Sequence, residues 1–345
     1  MDIWEARHAR AFRGVIRTVA AAVLAGVIGA AMSGIATAQE RTLVRFGTGA
    51  ICTDLPVEMM QVFKEWVERA APGEFDIQVH CNATIVRQGT EVTSLQRGTV
   101  ETTILSWWDI ADRLADLNIL TVGYLFKDWA HVQRVMDGDI GAEYRKRIAD
   151  ELGIEILDYY YAGPRIVNLR EVRDVKTPAD LAGVKLRMPG SPSFLLMGEA
   201  LGANPVALPL SDVYLALSTG TIDGQDNPLS TTYRAKFYEV TKQVILTYHS
   251  IPANMIGFNK QAWDAIPARR QQIIRDGLRA AMSFNDVNKL RDEAEVLDIF
   301  RNAGLTITEP DREAFRTHML DVFSTSEFMT KAPAGWAERI AAAAE

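Results

Sequence analysis

Residues 163–228 read GPRIVNLREVRDVKTPADLAGVKLRMPGSPSFLLMGEALGANPVALPLSDVYLALSTGTIDGQDNP, and this stretch decides the fold class. Its pattern alternates between short β-prone runs and helical runs. We predict strands near 164–168 and 184–187 and helices near 178–182, 191–201 and 211–219. Such alternation is typical of an α/β layer structure. A helix near 229–238 and strands near 243–247 and 254–258 continue the pattern.

A second unit of the same kind precedes this stretch. Residues 42–49 alternate as in a strand, and Asp54 then offers a helix N-cap, with Pro56 in the first turn. Further strands are predicted at 75–79 and 100–105. A parallel β-α-β-α-β unit follows, and the chain is too long for one simple core. We therefore expect two α/β lobes, the first formed by 39–162 and 251–291 and the second by 163–250 and 292–345.

Residues 268–303 contain no proline and carry apolar side chains at helical spacing. A continuous helix of this length would extend about 54 Å, which exceeds the width of one small lobe. We expect it to run along both lobes as a strut. The alternative is two helices, broken near Gly277 or Asn285.

The first 38 residues are typical of a secretory signal peptide. Arg7, Arg10, Arg13 and Arg17 precede a run without charge from 18 to 39, and Ala36-Thr37-Ala38 is a small-x-small cleavage pattern. Cleavage would leave about 307 residues in the periplasm. An uncleaved membrane anchor is the alternative, although the alanines and glycines of the run make it weakly apolar.

The chain is acidic and contains two cysteines. Its formal net charge is −7, and it becomes −9 without the first 38 residues, which carry four Arg, one Asp and one Glu. This charge argues against nucleic-acid or anionic-membrane partners. Cys52 and Cys81 each follow a predicted strand, and parallel pairing of those strands would bring them together. Either a disulfide or two separate buried thiols fits the sequence.

The sequence lacks the motifs that would indicate catalysis or a cofactor. It has no G-x-S-x-G, P-loop, G-x-G-x-x-G or H-E-x-x-H pattern. Its histidines are scattered without ligand spacing, and Asp137-Gly138-Asp139 is better interpreted as a helix break than as a calcium loop. We expect no enzyme activity, no metal and no cofactor.

Several motifs in order identify a resemblance. They are Gly163-Pro164-Arg165, the run from Thr177 to Pro189, Asp212-Val213-Tyr214 and Gly220 to Pro228. Together they resemble the solute-binding proteins of tripartite ATP-independent periplasmic (TRAP) transporters, of the four-carbon-dicarboxylate-binding type. The resemblance covers nearly all of the chain after the signal peptide. It implies a two-lobed binding protein of type II-like fold, with hinge strands and one long helix spanning both lobes. It also implies a clamp that captures a small organic acid and delivers it to the small and large integral membrane subunits.

The resemblance assigns three polar residues to the ligand. Arg187 matches the arginine that pairs with the ligand carboxylate, for which a planar guanidinium offers two parallel charge-assisted bonds. Arg165 matches a second arginine facing the ligand, and its alternative is a hinge ion pair with an acidic residue. Asn227 matches an asparagine beside the carboxylate, and its alternative is a turn cap before Pro228.

The chain departs from the family pattern at its aromatic positions. Leu210 stands where many members have an aromatic residue, and Trp107-Trp108 is an unusual tandem. We place Trp108, Leu210 and Gln88 among the ligand-binding residues. If Trp108 supplies the missing wall, the ligand is a monocarboxylate with an apolar or ring-bearing body rather than a compact diacid. The alternative is that both tryptophans only pack within a lobe.

Two other functions remain open at this point. A secreted enzyme acting on a carboxylate would use acids such as Asp54 and Glu91 near the cleft, but no nucleophile–base pair is evident. A binding protein that serves an ATP-driven importer or a sensor would share the fold and lack the TRAP membrane subunits.

Overall fold

The computed structural model describes residues 41–344, so the expected signal peptide lies outside the described residues. The described part contains eleven strands: β1 (Thr42–Gly47), β2 (Phe75–His80), β3 (Thr102–Ser106), β4 (Ile154–Tyr161), β5 (Arg165–Leu169), β6 (Lys185–Met188), β7 (Asn204–Ala207), β8 (Gly224–Pro228), β9 (Gln243–Ile245), β10 (Ala253–Asn259) and β11 (Thr306–Thr308). The strands form two sheets, each the centre of one lobe.

Helices cover both sheets. The thirteen α-helices of the described part are α1 (Leu55–Ala70), α2 (Glu91–Gln96), α3 (Trp107–Ala111), α4 (Trp129–Asp137), α5 (Asp139–Arg147), α6 (Pro192–Ala200), α7 (Val213–Thr219), α8 (Leu229–Arg234), α9 (Lys260–Ala265), α10 (Ala268–Asn302), α11 (Arg312–Ser324), α12 (Glu327–Thr330) and α13 (Trp336–Ala342). Shorter helical turns lie at Ala115–Thr121, Ile148–Leu152, Pro178–Leu181, Leu210–Asp212 and Phe237–Glu239.

The first-lobe sheet has the order β2-β1-β3-β10-β4 and is mixed. The predicted unit β1-β2-β3 is parallel, whereas β10 runs antiparallel to both β3 and β4. The reason is that β10 returns directly from the second lobe instead of following a β-α-β crossover. The second-lobe sheet has the order β11-β9-β5-β8-β6-β7 and is also mixed.

The N-terminal half of the first sheet follows its sequence signals closely. The Asp54 carboxylate accepts a hydrogen bond of 2.8 Å from Leu55 N at the start of α1. β1 pairs with β2 in parallel, and the loops after them hold Cys52 and Cys81 with 5.2 Å between their Cα atoms. The two cysteines form a disulfide, which decides between the alternatives left by the sequence.

α10 is a single helix of 35 residues, about 52 Å long. The predicted continuous helix is confirmed, and the alternative of a break near Gly277 or Asn285 is excluded. A Cβ at Gly277 would meet Val67 Cγ2 of α1 at 2.7 Å, so glycine here permits close helix packing. Asn285 is buried and donates to Tyr161 O over 2.9 Å. α10 contacts α1 and β4 in the first lobe and α8 and β11 in the second.

The chain crosses between the sheets beside α10. One crossing is the turn between β4 and β5. Gly163 in this turn has a φ of +89°, which residues with a side chain rarely adopt, and an added Cβ would lie 3.1 Å from Glu293 Oε1. The other joins β9 to β10, and Ser250 O accepts a hydrogen bond from Arg165 N over 2.9 Å. The two crossings are therefore bonded to each other. Across residues 41–344, no helix combines the length and apolar character needed to cross a bilayer.

The C-terminal region does not stay in the second lobe as the boundary at 292 expects. α11 packs on α6, but Trp336 and Ile340 of α13 belong to a first-lobe core. Trp336 Nε1 donates to Glu143 over 3.2 Å, and the ring of His131 is 2.7 Å from Ile340 O. The indole finds in the first lobe both an apolar site and an acceptor for its N–H.

Candidate ligand-binding site

A cavity of about 450 Å³ lies between the two sheets and is lined by both lobes. Thr48 follows β1 and Ser106 ends β3 on the first-lobe side, while Pro189 follows β6 and Leu208 follows β7 on the other. The carboxyl ends of parallel strands are the usual place for ligand sites in α/β folds, because polar loop residues converge there. This cavity is therefore the candidate site.

Arg187 lies directly behind the cavity wall. It is fully buried at the end of β6, and its Nε donates to Leu208 O over 2.7 Å and its Nη2 to Gln88 Oε1 over 2.8 Å. Its Nη1 has no hydrogen-bond partner among the described residues. Burial, followed by the neighbouring Arg165 cation, lowers the pKa of Arg187 to about 9. A buried cation with an unpaired donor is a site that an anion would stabilise.

Arg165 is on the wall and forms the ion pair with an acid that its alternative interpretation expects, while its contact with a ligand stays a prediction. Its Nε donates to the two Asp226 carboxylate oxygens over 2.9 and 3.1 Å, and its Nη2 to Asp226 O over 2.8 Å. The guanidinium lies 5.0 Å from the Phe194 ring centroid. Burial opposes ionisation of Asp226, but Arg165 and His249 outweigh it and lower the pKa of Asp226 to about 2. Arg165 is thus fixed in place before any ligand arrives.

Gln88 connects the lobes at the cavity. Its Oε1 accepts hydrogen bonds from Arg187 Nη2 and from Leu210 N, both over 2.8 Å. Leu210 and Asn227 also line the cavity, and the Asn227 amide donates to Gln225 Oε1 over 2.5 Å. Five of the six sequence-predicted site residues thus line one cavity, namely Arg165, Asn227, Trp108, Leu210 and Gln88. Arg187 reaches this group through Gln88.

The two tandem tryptophans have different environments. Trp107 packs in the first-lobe core, 5.1 Å from the Phe126 ring centroid. Trp108 lines the cavity and stacks on Phe194 of the second lobe, with centroids 4.1 Å apart and planes at 17°. Phe194 therefore covers one indole face, and the buried Trp108 Nε1 has no partner among the described residues. Trp108 therefore contributes apolar area to the cavity wall.

The acidic residues of the cavity wall were not among the ligand-binding residues predicted from the sequence. Asp54 and Glu91 were considered only for an enzyme, and Asp109 and Asp112 were not considered, yet all four line the cavity. Burial and then the Asp109 charge raise the pKa of Glu91 well above its usual value. Burial also raises the pKa of Asp109, and burial and Asp109 raise that of Asp112 to about 6. Within residues 41–344, no group of three or more His, Cys, Asp or Glu side chains is arranged to hold a metal ion.

Comparison with known proteins places this geometry in a family. The family described as "Bacterial extracellular solute-binding protein, family 7" (DctP) matches residues 47–329. The chain belongs to this family. Among relatives, the 2,3-diketo-L-gulonate-binding periplasmic protein YiaO of Escherichia coli is 30% identical over 274 residues, which are 79% of this chain and 83% of that protein. The C4-dicarboxylate-binding periplasmic protein DctP of Rhodobacter capsulatus is 29% identical, over 73% of this chain and 77% of that protein.

Solved structures of TRAP periplasmic solute-binding proteins have a similar fold. A TRAP periplasmic solute-binding protein from Roseobacter denitrificans, with bound 3-deoxy-D-manno-oct-2-ulosonic acid (KDO), is 37% identical. It has a TM-score of 0.84 and covers 88% of this chain and 100% of that one. A protein from Shewanella oneidensis with bound succinate has a TM-score of 0.82 at 24% identity, over 89% and 100% of the two chains, and shows the fold alone. The present chain is thus a two-lobed TRAP-type solute-binding protein, whose relatives bind four-carbon diacids as well as larger acids.

Proposed function

We propose that this protein captures a hydroxylated monocarboxylate of the sugar-acid type and delivers it to the membrane subunits of a TRAP transporter. The observation that carries the proposal is the buried Arg187, whose Nη1 lacks a partner among the described residues, next to Arg165 on the cavity wall. Two adjacent buried guanidinium groups favour one carboxylate strongly. The remaining wall is about half polar and half apolar.

The polar part of the wall suits a ligand with several hydroxyl groups. Thr48, Ser106, Asn227, Thr231 and Asn254 line the cavity, and their hydroxyl and amide groups can both donate and accept. These polar residues favour a hydroxylated ligand over the ligand with an apolar body that the tandem tryptophans suggest. Phe194 already covers one face of Trp108, so that face cannot stack on a ligand. Bound KDO in the 37% identical structure and diketogulonate in the name of the 30% identical relative support the same ligand class.

The proposed cycle uses the two lobes as a clamp in the periplasm. A ligand drives closure only by binding the closed form better, which here requires contacts with first-lobe residues such as Gln88 and Ser106 in addition to the two second-lobe arginines. The closed, loaded form would then dock on the small and large membrane subunits. The expected signal peptide supports export, and the relatives are named as periplasmic proteins.

A thermal-shift screen followed by calorimetry tests the ligand class. KDO, D-galactonate, succinate and a ring-bearing monocarboxylate such as benzoate are compared on the protein without its first 38 residues. A ligand that binds only the folded form raises the melting temperature by mass action. We expect a sugar acid to give the largest shift. Tightest binding of succinate or benzoate would contradict the proposed ligand while leaving the family assignment intact.

A further inference from the structure

Lys289 on α10 is a buried cation in the wall of the ligand cavity. It is 2% exposed and lines the same cavity as Arg165. Its Nζ donates to Ser230 Oγ over 2.5 Å, and within residues 41–344 it takes part in no salt bridge. Lysine is almost never fully buried unless its charge is paired. An ammonium group has three donors, so two of those in Lys289 have no partner among the described residues.

The two acids that follow Lys289 on α10 by three and four residues are bonded to other donors. Asp292 Oδ2 accepts a hydrogen bond from Arg234 Nε over 2.8 Å. Glu293 Oε2 accepts one from the Tyr161 hydroxyl over 3.0 Å. Lys289 therefore has negative charge nearby but no direct counter-ion within the described part of the chain.

Asp54 brings a first-lobe carboxylate to the same part of the wall. It is 3% exposed, lines the cavity and accepts a hydrogen bond from Thr231 Oγ1 of the second lobe over 3.3 Å. Lys289 bonds to Ser230 and Asp54 to Thr231, which are consecutive in α8, so the two charged groups meet at one end of this helix. Burial lowers the pKa of Lys289, and the Asp54 charge is the first of those that oppose this change.

Both charged groups have hydrogen-bonding capacity left for a ligand. Asp54 Oδ1 accepts from Leu55 N and Asp54 Oδ2 from Thr231 Oγ1. Each carboxylate oxygen has two lone pairs, so each can accept one more bond. The cavity wall thus offers free donors on Lys289 and free acceptor sites on Asp54 close to one another.

We propose that Lys289 and Asp54 together bind a hydroxyl group of the ligand, with Lys289 donating to its oxygen and Asp54 accepting its hydrogen. This inference rests on the proposed function, because it assigns residues to the hydroxyl groups of the same ligand. A hydroxyl is both donor and acceptor, and here both of its bonds are charge-assisted. The pair carries no net charge, so it favours a neutral hydroxyl over a second carboxylate, which Asp54 would repel.

This assignment also gives the ligand a contact that depends on closure. Arg165 and Arg187 both belong to strands of the second lobe, whereas Asp54 caps the first-lobe helix α1. Lys289 lies on α10, which contacts both lobes. A hydroxyl bound by Asp54 and Lys289 therefore connects a ligand held by the two arginines to the first lobe and to α10. Such a bond forms only when the lobes are close together, so it contributes to closure.

A crystal structure of the complex tests the contact directly. The ligand is D-galactonate or KDO, whichever binds the wild type more tightly. We expect Lys289 Nζ within about 3.2 Å of a hydroxyl oxygen of the ligand, and the same hydroxyl within hydrogen-bond distance of an Asp54 oxygen. A complex in which Lys289 Nζ contacts only protein atoms, water or the ligand carboxylate would overturn the inference.

Calorimetry with D-galactonate and KDO measures what the contact contributes. Lys289→Met keeps an unbranched side chain and removes the donors, and it should weaken binding by about tenfold to a hundredfold. Asp54→Asn can still cap α1 and accept a bond without charge, so its loss should be about threefold to tenfold. Arg291→Met is the control, because it removes a positive charge from an exposed position on α10 outside the cavity.

The variants also separate ligand binding from a structural role. Lys289→Met removes a buried cation, so the melting temperature of the ligand-free variant should not fall. A variant that melts lower and binds as tightly as Arg291→Met would overturn the inference, and so would wild-type affinity at an unchanged melting temperature. If neither acid binds the wild type, the proposed function fails. If either binds without the Lys289 contact, only the present inference fails.

Discussion

Arg187 should control both ligand affinity and the closure of the empty protein. Arg187→Met keeps an unbranched side chain of similar reach but removes the charge and the donors. In the wild type, closure without ligand buries a guanidinium whose Nη1 has no acceptor within the described residues. In the variant, the same closure buries only an apolar group. We therefore expect the variant to lose its ligand and yet to close more easily when empty.

The structure sets the size of both effects. Burial, followed by the neighbouring Arg165 cation, lowers the pKa of Arg187 to about 9, which corresponds to about 5 kcal/mol against the buried cation. The bond to Gln88 Oε1, which joins the two lobes, returns about 1.5–3 kcal/mol, so the net preference of the variant for the closed form is at most about 3.5 kcal/mol. For the ligand, loss of a desolvated charge partner costs about 2–5 kcal/mol, or roughly 30-fold to several thousand-fold in affinity.

Small-angle scattering and calorimetry measure the two effects separately. The ligand-free variant should have a smaller radius of gyration than the ligand-free wild type, and calorimetry should show weak or no sugar-acid binding. Arg97→Met is the control, since it removes an exposed arginine at the end of α2. Wild-type affinity in Arg187→Met would remove Arg187 from the site. A ligand-free variant as expanded as the wild type would show that the buried charge does not keep the empty protein open.

Three stability predictions follow from other groups. The pKa of Asp226 is about 2 instead of 3.8, so Asp226→Asn should lower the free energy of unfolding by about 2 kcal/mol in urea titrations at neutral pH. That contribution is complete above about pH 4 and declines as the pH falls toward 2, so equal stability of the variant and wild type at neutral pH would contradict it. The Cys52–Cys81 disulfide spans 29 residues, and replacing both cysteines with serine should cost about 3.5 kcal/mol, with no further loss on adding reductant. Glu91→Gln should raise the melting temperature at neutral pH, because the folded-state pKa of Glu91 is raised and its ionisation opposes folding. The gain should shrink as the pH falls toward 4.5, and a gain that does not vary with pH would contradict this reason.

The sequence predicts those parts of the fold whose signals are local. The parallel unit β1-β2-β3, the long helix and the break at Gly138 all follow from periodicity, capping and chain length. β8 is different, because Gly224-Gln225-Asp226-Asn227-Pro228 contains residues that are depleted in strands. It forms a strand because β5 and β6 supply partners on both sides and because its buried side chains bond to Arg165 and to one another.

The candidate site likewise contains residues that the sequence predicts and residues that it does not. Arg187, Arg165 and Asn227 were predicted because they belong to ordered motifs. Asp109 and Asp112 were missed because they lie in and just after the five-residue helix α3, which is too short to produce a periodic signal. Their position on the cavity depends on how α3 packs against α2 and α6. This packing is not determined by residues close to them in the sequence.

The stacking of Trp108 on Phe194 has a consequence for spectroscopy. The indole belongs to the first lobe and the phenyl ring to the second, and their centroids are 4.1 Å apart. Any movement that separates the lobes exposes the Trp108 indole to water, whereas Trp107 remains within the first-lobe core. The difference in emission between the wild type and Trp108→Phe therefore reports the separation of the lobes in unlabelled protein, on the timescale of a stopped-flow mixing experiment.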